Sequence, residues 1–216
     1  MADLFIVPGL RTPFAKAGAQ YAGVSALQLS APLARTMSHM ARPDLLIWGQ
    51  VIPDPAVSNL ARELVFEADL DPEIPAFSDV MACSTSFVGA LAAAGLLGRG
   101  DAHLALVGGV ETMSHRPIAL RQGKADQIAA KAIRDLPAAL QLLEAVTPAD
   151  FDIPANAWAN RISGRSMGEH TEDTAKFHGI TRAAQDALAL ASHRNAVRGR
   201  DQDGFFDDLV SPAFGV

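Results

Sequence analysis

Two apolar periods alternate along the first half of this 216-residue chain. Leu4 to Val7 is a short apolar run ending at Pro8-Gly9, which predicts a strand and a turn. From Leu27 to Met40, apolar residues Leu29, Leu33, Met37 and Met40 recur near helical spacing. Leu45 to Trp48 reads as a strand closed by Gly49. Ser58 to Leu70 reads as a helix with Leu60, Leu64, Val65 and Ala68 on one face. Residues 76–82 predict a third strand, 84–97 a third helix, and 104–107 a fourth strand ended by Gly108-Gly109. This alternation predicts an α/β fold with a largely parallel mixed sheet covered by helices.

The pattern changes after Glu111. Residues 121–145 are rich in Ala, Leu and basic residues and predict helix interrupted at Pro137. Residues 147–164, with Pro148, Pro154, Asn156, Asn160 and Gly164, predict irregular loop. Thr171 is the expected cap of a short helix, with Glu172 and Asp173 in its first turn. Thr181 is the expected cap of a longer one, with Ala184, Ala187, Leu188 and Ala191 on one face and an end near Gly199. Phe205 to Val210 predicts an edge strand. Two domains are therefore expected: an α/β domain over 1–118, lacking its last strand, and a helical and irregular one over 119–216.

Composition narrows the function classes. The hydrophobic fraction of 49% supports a sizeable core, and a net charge of −6 argues against a nucleic-acid partner. A single cysteine cannot form an internal disulfide, so a reducing, cytoplasmic setting is expected. Residues 1–8 lack the basic and apolar regions of a signal peptide. No apolar run is expected to reach the roughly 18 residues that span a bilayer. The six histidines, His39, His103, His115, His170, His178 and His193, are scattered, with no i, i+4 pair on one helix, so no metal site is expected. Gly108-Gly109 is too short for a dinucleotide fingerprint. Arg121, Lys124, Lys131 and Arg134 suit either a solvated helix face or a surface meeting lipid or phosphate.

The lone cysteine carries the chemistry. Cys83 falls between the run ending at Ala82 and the helix beginning at Ser84. Free amides and the dipole at a helix N-terminus favour an anion, so this setting suits a thiolate nucleophile. A small buried apolar residue is the competing reading. Ser84, Thr85 and Ser86 read mainly as cap and packing residues.

Six segments in order resemble one family. They are Arg11-Thr12-Pro13-Phe14; Gly49-Gln50-Val51 with Asn59-Leu60-Ala61-Arg62-Glu63; Met81-Ala82-Cys83-Ser84-Thr85-Ser86; Gly108-Gly109-Val110-Glu111-Thr112-Met113-Ser114 with Pro117; Ser166-Met167-Gly168-Glu169-His170-Thr171-Glu172; and Ile180-Thr181-Arg182 through Gln185-Asp186. Together they resemble the thiolases, the acyl-CoA C-acyltransferases, and look most like the long-chain 3-ketoacyl-CoA type of the trifunctional fatty-acid oxidation complex. The departure is Thr171, where Ala is usual.

The resemblance implies a Cys83 acyl-enzyme, thiolytic cleavage of 3-ketoacyl-CoA in β-oxidation, and coenzyme A as substrate with no permanent cofactor. It also implies a homodimer or tetramer, Ser166 and Met167 as coenzyme A contacts in a loop domain, and a modest membrane contact near 121–145. The sequence contains no Gly-His-Pro segment and no second cysteine, which such enzymes use as base and acid. The expectation is a nucleophile-bearing half completed by a second polypeptide or cut from a longer gene product. The alternatives are a non-catalytic module binding acyl-CoA or a subunit, and a truncated fragment.

Overall fold

The computed structural model describes residues 4–7, 9–115, 118–152, 159–207 and 209–215. Expectations resting on residues 1–3, Pro8, Pro117, Pro154, Asn156 and Asp208 lie outside them. The chain divides into two compact units, Met1–His115 with Ala196–Val216, and Arg116–Asn195.

The first unit is a three-layer α/β structure. Its sheet is parallel, in the order β2-β1-β3, formed by β1 (Leu45–Gly49), β2 (Ala76–Phe77) and β3 (Ala105–Gly109). Leu46 stands opposite Ala76, and Leu45 through Gly49 stand opposite Ala105 through Gly109. Every residue of β1 is buried, as a central strand covered on both faces requires. Leu46 and Trp48 face α1 (Ala26–Met40) and α2 (Leu60–Glu67), against Ala31, Ala34, Leu60, Leu64 and Val65. Leu45 and Ile47 face α3 (Thr85–Arg99), against Ala93. Each fully buried Leu, Ile or Val contributes about 1.5–3 kcal/mol relative to an exposed one.

Local chemistry sets the helix ends. Ser25 and Gln28 form a capping box at the start of α1. Asn59 Oδ1 accepts the Arg62 N–H at the start of α2, whose predicted face is the one buried. Gly100, at φ +78, ends α3 in the left-handed conformation. The Trp48 indole N–H donates to Ser30 Oγ at 2.9 Å, and that hydroxyl donates to Ala26 C=O at 2.8 Å.

Several expectations are corrected. Residues 4–7 join no ladder and are exposed, because among the described residues no strand lies beside them to pair with. The strand expected over 76–82 stops at Phe77, where side-chain bonds take over: Ser78 Oγ accepts the Ala61 N–H and donates to Asn59 Oδ1, and the Met81 N–H donates to the Thr85 hydroxyl. Gly108 and Gly109 lie inside β3 rather than ending it; a Cβ at Gly108 would stand 2.2 Å from the Trp48 ring. Of the expected strand over 205–210, residues 205–207 and 209 form turns and Val210 makes one bridge to Arg11. The window Ala82–Arg99 is long and apolar enough to cross a membrane by length and composition, contrary to expectation. Its character comes from Ala and Gly spread around α3, whose Thr85, Gly89 and Ala93 are buried.

The second unit begins with β4 (Ala119–Leu120), α4 (Gln122–Ala132) and α5 (Leu136–Glu144). The helical break falls before Pro137, which sits in the first turn of α5, where its missing N–H costs nothing; Asp135 caps that turn. The expected loop contains a 3-10 turn at Pro148–Asp150 and β5 (Phe151–Asp152), antiparallel to β4. α6 (Met167–Phe177) is capped by Ser166, not Thr171, whose hydroxyl instead donates to Met167 C=O. Ser166 wins because Glu169 completes a capping box. Thr181 Oγ1 accepts the Ala184 N–H at the start of α7 (Arg182–Asp201), which runs past Gly199. The face expected on α7 is exposed.

Candidate active site

The carboxyl ends of the three parallel strands lead into loops at one edge of the sheet, where α/β folds place ligands. The loop after β1 is tied to the loop after β3 by Glu111. Its carboxylate accepts the N–H groups of Val51 at 2.8 Å, Ile52 at 3.1 Å and Thr112 at 3.2 Å. Further along, Ser114 Oγ accepts the Gly18 N–H at 2.9 Å.

The loop after β2 carries Cys83. The Ser84 N–H donates to Met81 C=O at 3.0 Å, and the Thr85 N–H to Ala82 C=O at 3.2 Å. The buried Thr85 hydroxyl accepts the Met81 N–H at 2.9 Å and donates to Ala82 C=O at 2.7 Å. This clamp holds Ala82 at φ +47, a left-handed conformation that costs a non-glycine residue about 1–2 kcal/mol. Strain at the residue before an exposed thiol is the kind of feature that accompanies a functional turn. Cys83 lies just before α3, and Ser84, at the N-cap, offers no side-chain bond to the helix. The first-turn amides of Ser86 and Phe87 therefore have neither an intrahelical nor a Ser84 acceptor.

Beneath this turn lies Asp79. Both carboxylate oxygens are buried without a hydrogen-bond partner. Oδ1 would stand 2.6 Å from a Cβ at Gly49, and Oδ2 3.2 Å from one at Gly89, beside Ile47 and Val107 methyl groups. This burial pushes the Asp79 carboxyl above the ordinary aspartate range. Gly49 would also meet the Asp79 carbonyl and Thr85 Cγ2, each at 2.3 Å, so only glycine fits there. Gly109 is as constrained, 2.6 Å from Ser86 Oγ.

Ser166 and Met167 stand at the start of α6 in the second unit. The Ser166 hydroxyl donates to the Glu169 carboxylate at 2.8 Å, and the Glu169 N–H donates back to it at 3.3 Å. The Ser166 amide and hydroxyl together hold the Glu169 carboxyl below its ordinary range. Met167 is exposed. Arg165 pairs with Asp173, and Ser163 Oγ lies 2.8 Å from His170 Nε2. Arg121 is partly committed, its Nε donating to Ala149 C=O at 2.9 Å. Among the described residues no group of three or more His, Cys, Asp and Glu could hold a metal.

The structure thus gathers Cys83, Thr85, Asp79 and Gly49 in the first unit, and places Ser166 and Met167 in the second. Sequence reasoning missed Asp79 and the packing role of Gly49, which it read only as the close of a strand and part of a segment; their contacts are non-local. It quoted Glu111 within a segment and gave it no role; a carboxylate after a strand-ending Gly-Gly was the available signal.

Comparison with known proteins gives a consistent result. The family model described as the thiolase N-terminal domain matches residues 4–214. The 3-ketoacyl-CoA thiolases of Yersinia pestis (strain Pestoides F) and Yersinia pseudotuberculosis (serotype O:1b) are 35% identical over 214 residues, covering 96% of this chain and 49% of theirs. The chain therefore spans about half the length of the curated relatives it matches. Among solved structures, the acetyl-CoA acetyltransferase of Bacillus anthracis superposes with a TM-score of 0.77 at 24% identity, covering 94% of this chain and 49% of that one. The Acat5 thiolase from Ascaris suum in complex with coenzyme A gives 0.76 at 20% identity, covering 94% and 50%. At those identities the structural likeness establishes the fold alone.

Proposed function

This chain belongs to the thiolase family, and on that premise we propose that it is the nucleophile-bearing half of an acyl-CoA acyltransferase that cleaves 3-ketoacyl-CoA. The Cys83 thiolate adds to the 3-keto carbon. The bond between carbons 2 and 3 then breaks, and carbon 2 takes a proton as acetyl-CoA leaves. The shortened acyl group remains on sulfur as a thioester. Coenzyme A transfers that group to its own thiol, and Cys83 is regenerated. Free amides at the start of α3 are suited to the oxyanion, a stabilisation worth about 3–4 kcal/mol per donor in other enzymes. Ser166 and Met167 are the proposed coenzyme A contacts. The base for Cys83 and the acid for carbon 2 come from outside these 216 residues, which hold one cysteine and no Gly-His-Pro segment. The proposed setting is cytoplasmic fatty-acid β-oxidation, in a dimer or tetramer.

The carrying observation is the clamped, strained turn that presents an exposed Cys83 ahead of α3. The test is mass spectrometry after incubation with acetyl-CoA, alone and with candidate second polypeptides. One acetyl group on Cys83, absent in Cys83→Ser, is expected. One other reading is a binding module that turns nothing over. An unlabelled Cys83 in every combination, with acyl-CoA still bound, replaces the enzyme reading by that one.

A further inference from the structure

The first turn of α3 is keyed to the sheet by two side chains. Thr85 turns its methyl group onto Gly49, the last residue of β1, and Ser86 its hydroxyl onto Gly109, the last residue of β3. Neither glycine has room for a Cβ. The two strands are themselves locked at this end, since the Val110 N–H donates to Gly49 C=O at 3.0 Å. The start of α3 is therefore fixed by the ends of β1 and β3.

Thr85 also reaches back across the nucleophile turn. Its hydroxyl accepts the Met81 N–H at 2.9 Å and donates to Ala82 C=O at 2.7 Å. Met81 and Ala82 are the two residues before Cys83. One buried side chain, 5% exposed, thus ties the sheet and α3 to the segment that carries the thiol. A turn released from that hydroxyl would still expose Cys83. It would no longer hold the sulfur in register with the unpaired amides of the first turn of α3. Addition to a carbonyl carbon develops an oxyanion that needs those donors in place, whereas displacement at an alkyl halide develops none.

We infer that Thr85 is a positioning residue for acyl transfer, its hydroxyl holding the Cys83 sulfur in register with the first-turn amides of α3. The inference rests on the reading that Cys83 accepts acyl groups, and adds the side chain on which the transfer depends.

The test compares two reactions of the one thiol in the full chain, at about pH 9, where ordinary thiols ionise without a base. With 4-nitrophenyl acetate, sulfur bonds to the carbonyl carbon, the ester C–O bond breaks and 4-nitrophenolate leaves. With iodoacetamide, sulfur bonds to the methylene carbon and iodide leaves. Mass spectrometry of the peptide containing Cys83 gives both rates. Thr85→Val keeps a methyl group for Gly49 and removes both hydroxyl bonds. It is expected to slow acetylation about tenfold or more and to change alkylation less than about threefold. Thr85→Ser returns the hydroxyl and is expected to recover most of the lost rate. Circular dichroism like that of the parent shows that each variant is folded. If the valine variant does not fold, the serine variant decides. A ratio of acetylation to alkylation within about threefold of the parent supports the inference, and a fall of about tenfold overturns it. Equal falls in both rates, or no fall in either, also overturn it, because Thr85 then serves the fold alone. A selective fall with no acetyl group taken from acetyl-CoA in any combination leaves Thr85 its place and removes the enzyme reading. Labelling by acetyl-CoA that the valine substitution leaves unchanged does the reverse.

Discussion

Asp79→Asn separates the charge of the buried carboxyl from its shape. The Asp79 carboxylate fills the space beside Gly49 and Gly89, with no hydrogen-bond partner for either oxygen. Burial raises its folded pKa, and its own amide offsets only part of that rise. A raised acid pKa means that the native state holds the proton more tightly than the unfolded chain. The associated stability is fully present below the ordinary aspartate value and is lost as pH rises through the folded value. The asparagine variant has nothing to lose over that range. An unpartnered polar group costs about 1–3 kcal/mol, and more when charged. Because Asp79 as a whole residue is only half-buried, although its two oxygens are covered, the charge is worth about 1 kcal/mol. Thermal unfolding followed by circular dichroism, from about pH 4 to pH 8, checks this. The variant and parent should nearly coincide at the acid end. The variant should melt about 2–4 °C higher at the alkaline end, the shift that 1 kcal/mol gives a chain of this size. A parent that is equally or more stable at pH 8 refutes the reasoning, because the carboxylate must then have a partner.

Two further substitutions probe the packing that holds the sheet. Gly108→Ala puts a methyl group 2.2 Å from a Trp48 ring pinned by its bond to Ser30, and should lower stability by about 3 kcal/mol. An unchanged urea midpoint refutes that. Ser30→Ala leaves the Trp48 N–H buried and unpaired, at a cost of about 1–2 kcal/mol by thermal melting. Trp48→Phe in the same background should add less than it does alone, because the two partners share one interaction.

What the sequence disclosed and what it concealed divide along the range of the interactions. α2 was legible down to its buried residues because Leu60, Leu64, Val65 and Ala68 are spaced by the helix itself. Cys83 was placed at a strand-to-helix turn from neighbours within a few residues. Strand content depends on a partner elsewhere, and there the reading failed. Leu4 to Val7 has the composition of a strand but nothing beside it to bond to. Ser78 to Ala82 has a strand-like pattern, yet its groups bond to Asn59, Ala61 and Thr85, choices invisible in a window around them. At α6 two local signals competed, and Ser166 with Glu169 outweighed Thr171, because two reciprocal bonds beat one. Asp79 and Gly49 escaped because each is explained only by the other, thirty residues away in sequence.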